Sequence, residues 1–152
     1  MGTPALITVL ETDREGNEHV LLTFMAQCDG YLDGYGLLLA EACDAPIVNG
    51  ITQHGLGKEF NGMGCLAATL IAKFKQDVGH IYIERPRLHR DAQCWYYVYE
   101  VVGPDPGAVA DRPTMRVFLS ELREGEWKRP LKFEGTPSEL AAWIATSPDS
   151  EE

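Results

Sequence analysis

The sequence predicts an α+β domain, a mainly antiparallel sheet with two or three helices packed on one face. Three observations carry this expectation. The elements run as two strands, two helices, several strands and a closing helix, without the strand–helix alternation of a doubly wound parallel sheet. The closing helix is announced by Thr136-Pro137-Ser138-Glu139, an N-cap, a proline at the first helical position and a glutamate that completes a capping box. Neither an internal repeat nor a linker divides the 152 residues, so one core is expected over 1–152, with 147–152 as a disordered acidic tail.

Element by element, Ala5–Leu10 is rich in β-branched residues and reads as a strand. The turn cluster Asp13-Arg14-Glu15-Gly16-Asn17 joins it to a second apolar run, His19–Ala26, so the two should pair as an antiparallel hairpin. Asp29–Gly36 is expected to break regular structure before a short helix, Leu37–Ala42, stopped ahead of Pro46. A long glycine loop follows from Asn49 to Gly64. Cys65–Lys75 is a helix whose stripe is Leu66, Leu70, Ile71 and Phe74, with Cys65 at its head. Strands are expected at His80–Glu84, Cys94–Val102, Thr114–Leu122 and Pro130–Phe133, the last two separated by the turn Arg123–Glu126. Leu140, Trp143 and Ile144 form the apolar face of the closing helix.

Composition limits the function classes. No run of about 18 apolar residues exists, so no membrane partner is expected. Met1-Gly2-Thr3-Pro4 lacks a secretory signal, Leu6 is wrong for myristoylation, and Cys28, Cys43, Cys65 and Cys94 are scattered, which together point to the cytoplasm. A net charge of −10 argues against a nucleic acid polymer, whose phosphates need clustered bases. Residues 1–44 hold Glu11, Asp13, Glu15, Glu18, Asp29, Asp33, Glu41 and Asp44 against the single base Arg14, an acidic face that either keeps the protein soluble or meets a basic protein. His19, His54, His80 and His89 are isolated, and Asp29 with Asp33 is no EF-hand, so neither metal nor cofactor is expected.

Two glycine-rich segments lead into helices, Asp29-Gly30-Tyr31-Leu32-Asp33-Gly34-Tyr35-Gly36 and Asn61-Gly62-Met63-Gly64-Cys65. A helix start presents N–H groups and a partial positive charge to an anion, and glycine permits close approach. The same glycines also serve tight turns and close packing. Arg85-Pro86-Arg87-Leu88-His89-Arg90, with Lys58, supplies counter-charge or a solvated loop. Cys65 at a helix start is a candidate nucleophile with His54 as base, or a small buried core residue.

Asp29-Gly30-Tyr31, Gly34, Gly36, Asn49-Gly50 and Asn61-Gly62-Met63-Gly64-Cys65-Leu66-Ala67 resemble a pattern found in small uncharacterised proteins of bacteria, phages and large DNA viruses. The resemblance runs from about Ala5 to Glu100 and implies architecture, with no activity attached. By analogy, phage sponges that sequester signalling nucleotides are molecules of this kind.

The leading expectation is therefore binding of a small phosphate- or carboxylate-bearing, nucleotide-like ligand rather than catalysis. Asp29, Gly30, Tyr31, Gly34, Gly36, Asn49, Asn61, Gly62, Gly64, Cys65, Arg85 and Arg87 are its candidate residues. A Cys65 enzyme and an acidic protein-interaction module are the alternatives, and a homodimer or higher homo-oligomer stays open.

Overall fold

The computed structural model describes residues 2–49, 59–86, 96–107 and 111–147. Ala5–Thr12 (β1) and Glu18–Ala26 (β2) form the expected antiparallel hairpin. Its turn is held by the Asp13 carboxylate, which accepts the Glu15 and Asn17 N–H groups at 2.9 Å each and meets His19 Nε2 at 2.7 Å. Leu37–Ala42 (α1), Ile47–Val48 (β3), Phe60–Asn61 (β4), Gly62–Phe74 (α2) and Ile81–Glu84 (β5) follow. The second half contributes Tyr97–Val102 (β6), Thr114–Leu119 (β7), Glu121–Arg123 (β8), Glu126–Lys128 (β9), Leu131–Gly135 (β10) and Pro137–Thr146 (α3).

Six strands build the main sheet in the order β10-β7-β6-β1-β2-β5. Every neighbouring pair is antiparallel except β1 with β6, which run parallel through Ala5↔Tyr97 to Leu10↔Val102. The α+β class and the mainly antiparallel sheet are thus observed. The parallel centre is a pairing that element order could not supply, because it joins strands far apart in the chain.

Several boundaries differ from expectation, among them the strand expected over Thr114–Leu122, which breaks at Ser120 into β7 and β8. Asp29–Gly36 is not wholly irregular, since Leu32–Gly36 winds as a π-helical turn that runs straight into α1. The glycine loop ends early, since Phe60–Asn61 (β4) pairs in parallel with β3 and α2 begins at Gly62 rather than Cys65. The Arg123–Glu126 turn tightens to Glu124-Gly125, flanked by the small hairpin β8–β9. The α3 start is as expected. Glu139 N–H donates to Thr136 Oγ1 at 3.2 Å, and the Thr136 N–H donates to Glu139 Oε1 at 2.8 Å.

Strand alternation sorts the side chains onto two faces. On the helical face, Ile7, Phe24, Tyr99 and Val117 form one rung, and the helices cover it with Leu39, Leu66, Leu70, Leu140 and Ile144. Each of these leucines and isoleucines, fully buried, adds about 1.5–3 kcal/mol of burial free energy. The opposite face begins with an apolar rung, Met25–Leu6–Val98–Phe118.

The next rung on that face is polar across all six strands: Glu84–Thr23–Thr8–Glu100–Arg116–Glu134. Directly opposed residues in a sheet put their side chains on the same face within contact distance. Thr8 and Thr23 hydroxyls meet at 3.2 Å, both buried. Arg116 gathers three carboxylates. It donates to Glu18 through Nη1 at 2.9 Å and Nη2 at 2.7 Å, to Glu134 through Nε at 2.7 Å, and to the buried Glu100 through Nη1 at 3.3 Å. The Arg116 hydrogen bonds hold the Glu18 carboxyl below its usual range, against a smaller opposing effect of burial. The same contacts, with Glu18 first, hold the guanidinium above its own range.

Arg116→Met keeps the length of the side chain and removes the charge. Breaking a charge pair with a buried member should cost roughly 3 kcal/mol, read as a lower urea midpoint at neutral pH. The sign with pH follows from Glu18. Its folded value is depressed, so its contribution is present above the unfolded carboxylate range of about 4.3 and is lost as pH falls through the lower folded value. The gap between wild type and Arg116→Met should therefore narrow in acid, and a gap independent of pH would contradict this assignment.

Candidate functional site

The structure separates the two glycine-rich segments. Asp29 and Tyr35 line a cleft with Lys73, Phe74, Gln76 and Asp77 from the C-terminal end of α2, whereas Gly62 and Met63, at its N-terminal end, line another. Thirteen helical residues put about 18 Å between those ends. The two segments thus line separate clefts rather than one.

The first segment also lacks the free N–H groups expected of it. Gly34 N–H donates to the Tyr31 carbonyl at 3.0 Å, Tyr35 N–H to Asp29 at 2.8 Å, and Gly36 N–H to Tyr31 at 3.4 Å. A Cβ added at Gly34 would fall on the Asp29 carbonyl, so glycine is required there for backbone packing. Gly30 and Gly36 are buried, and the Gly30 carbonyl accepts the Tyr99 hydroxyl at 2.7 Å. The π-helical turn consumes the groups that would have faced an anion.

The second segment is different. Gly62 sits at φ +83°, a conformation that L side chains rarely adopt, and nothing lies within 4 Å of a Cβ built at Gly62 or at Gly64. Asn61 is the N-cap and makes no side-chain cap hydrogen bond. The cleft beside it has a volume of about 560 Å³ and lies at the carboxyl ends of the parallel pair β1 and β6. Its walls are Glu11 and Thr12 from β1, Ile47 and Val48 of β3 with Asn49 after it, Gly62 and Met63, and the 104–107 loop with Asp105. Thr12 Oγ1 donates to the Gly103 carbonyl at 2.8 Å and Gly103 N–H to the Leu10 carbonyl at 2.9 Å, which ties that loop to the end of β1.

Of the candidate residues, Asn49 and Gly62 line this cleft, with Asn61, Gly64 and Cys65 exposed on the adjoining strand end and first turn of α2. Arg85 is exposed just past β5 and lines neither cleft. Arg87, Lys58 and His54 lie outside the described residues, and so does the Cys65–His54 pairing. Cys65 is exposed rather than a core residue, because the buried stripe of α2 runs through Met63, Leu66, Ala67, Leu70 and Phe74. Glu11 and Asp105 were missed, since isolated acids carry no local signal until the β1–β6 register puts their loops together.

At the other end of the sheet, Asp29, Tyr35 and His80 share a cleft of about 540 Å³ with Leu38, Lys73, Phe74 and Asp77. Tyr35 Oη and His80 Nε2 are 2.8 Å apart, and Tyr31 Oη donates to Asp29 Oδ1 at 2.9 Å. Sequence reading passed over Tyr35 and His80, because their pairing depends on a π-helical turn and a left-handed residue.

No protein-family model, curated protein or solved structure matches this chain. Among the described residues, no helix is long and apolar enough to cross a membrane, and no three His, Cys, Asp or Glu side chains are grouped to hold a metal.

Two measurements probe these assignments. Gly34→Ala should destabilise by roughly 1–3 kcal/mol through backbone conflict. Gly64→Ala, in open space within a helix, should stabilise by about 0.5–1 kcal/mol; equal urea midpoints for the two variants would reverse the packing argument. In native protein, iodoacetamide should label exposed Cys65 well before Cys43, whose thiol burial pushes up to about 12.

Proposed function

We propose that this protein binds a small phosphate- or carboxylate-bearing ligand in the cleft between Asn49, the start of α2 and the 104–107 loop. The observation that carries the reading is the coincidence of a cleft at the carboxyl ends of β1 and β6 with an uncrowded helix start at Gly62–Gly64. The first-turn N–H groups of a helix have no intrahelical partner and carry the positive end of its dipole, so they suit an anionic group. The carboxyl edge of parallel strands is where α/β proteins commonly hold ligands.

Glu11 and Asp105 refine the ligand class. Carboxylates repel a ligand that is anionic throughout and accept hydrogen bonds from hydroxyl or amino groups. A phosphate at one end and a hydroxyl-bearing sugar at the other is the division found in a nucleotide, with phosphate on the helix start and ribose on an acidic side chain. Holding such a ligand without turning it over is the action of a sponge.

Native mass spectrometry of protein purified directly from cells, followed by denaturation, tests the reading. The expected result is a stoichiometric anionic adduct, lost in Asn49→Ala/Gly64→Val while far-UV circular dichroism is unchanged. If the adduct survives in that variant, or if neither an adduct nor a thermal shift with any common mono- or dinucleotide is seen, the reading falls.

A further inference from the structure

We infer a second binding site, at the opposite end of α2, that takes a small zwitterion with an apolar body. The cleft joins the β2–α1 connection to the α2–β5 connection. Three non-glycine residues among those described have positive φ. Glu124, at 51°, belongs to the β8–β9 turn, while Asp29 at 61° and His80 at 65° both line this cleft. Conformations of this kind cost free energy and are retained where the surroundings hold a side chain in a required direction.

Here the direction is set by Tyr35. The π-helical turn brings its ring against Phe74, with centroids 5.2 Å apart, and its hydroxyl to His80 Nε2. Burial first, and then the charge of Asp29, push the phenol above its usual range, so it keeps its proton. In the tautomer whose Nε2 accepts the Tyr35 hydroxyl, His80 carries its ring proton on Nδ1 and is a donor in turn. The half-buried imidazole is thereby oriented by a side chain that is itself locked in the core.

The lining then divides by chemistry. Asp29 and Asp77 suit an ammonium group, while Lys73 and the His80 N–H suit a carboxylate. Leu38, 39% exposed, and Phe74 supply apolar surface in the same cleft. An apolar α-amino acid or a short peptide satisfies all three. Lys75, whose Nζ donates to the Gly79 and Ile81 carbonyls at 2.8 and 3.1 Å, is committed to the turn and takes no part.

Heteronuclear NMR titration of the full chain tests the inference with four probes: L-leucine, L-leucylglycine, isoamylamine and 4-methylpentanoate. The expected result is saturable shifts at Asp29, Tyr35 and His80 with leucine or leucylglycine, whichever is tighter naming the source, and roughly tenfold or weaker binding of each half-molecule. Asp29→Asn keeps a residue that tolerates φ > 0 and should remove the preference for leucine over 4-methylpentanoate. Lys73→Gln, on an exposed helical position, should remove the preference for leucine over isoamylamine. Absence of saturable shifts with both zwitterions, or unchanged preferences in the two variants, overturns the proposal. The anion-binding variant Asn49→Ala/Gly64→Val should titrate as wild type, so this site stands or falls apart from the other.

Discussion

A sheet with helices on one side must still account for the polar groups on its other side, and here Arg116 does much of that work. It sits in register with Glu100 and Glu134 on the flanking strands and reaches Glu18 at the start of β2. Three carboxylates around one guanidinium would repel one another without it, and Glu100 is buried. The pairing therefore ties β2, β6, β7 and β10 to a single register. A slip of one residue in any of them would turn the charged rung into the helical core.

That fixed register determines where the two clefts lie. The parallel alignment of β1 and β6 brings Glu11 and Thr12 level with the 103–107 loop, and α2 starts against them through Met63. Helix α2 then runs the length of the sheet to end beside Tyr35 and His80. The helix thus acts as a spacer, with a cleft at each end and a continuous apolar stripe between them. The two clefts differ in character. One has a helix start facing acids, the other a locked imidazole among mixed charges.

Much of the acidic N-terminal region is engaged within the protein. Asp13 organises its own turn, Glu18 belongs to the Arg116 cluster, Asp29 holds Tyr31, and Asp44 accepts Arg112 Nε at 2.7 Å. Two of these contacts, Glu18 with Arg116 and Asp44 with Arg112, reach distant parts of the chain.

Local signals decided a good deal by themselves. The hairpin β1–β2, the apolar stripe of α2 and the capped start of α3 depend on interactions within a few residues, so composition and periodicity expose them. What tertiary structure alone decided depends on long-range pairing. Gly34 and Gly64 look alike as letters, yet one lies under the Asp29 carbonyl and the other faces open space. Likewise Glu100 and Glu134 become one cluster with Arg116 only through strand register, and His80 meets Tyr35 only through a π-helical turn. The sequence by itself determined which segments bury apolar surface and at what period. Only the tertiary structure decided which distant polar groups meet, because those contacts follow from strand order and backbone conformation, which no local pattern encodes.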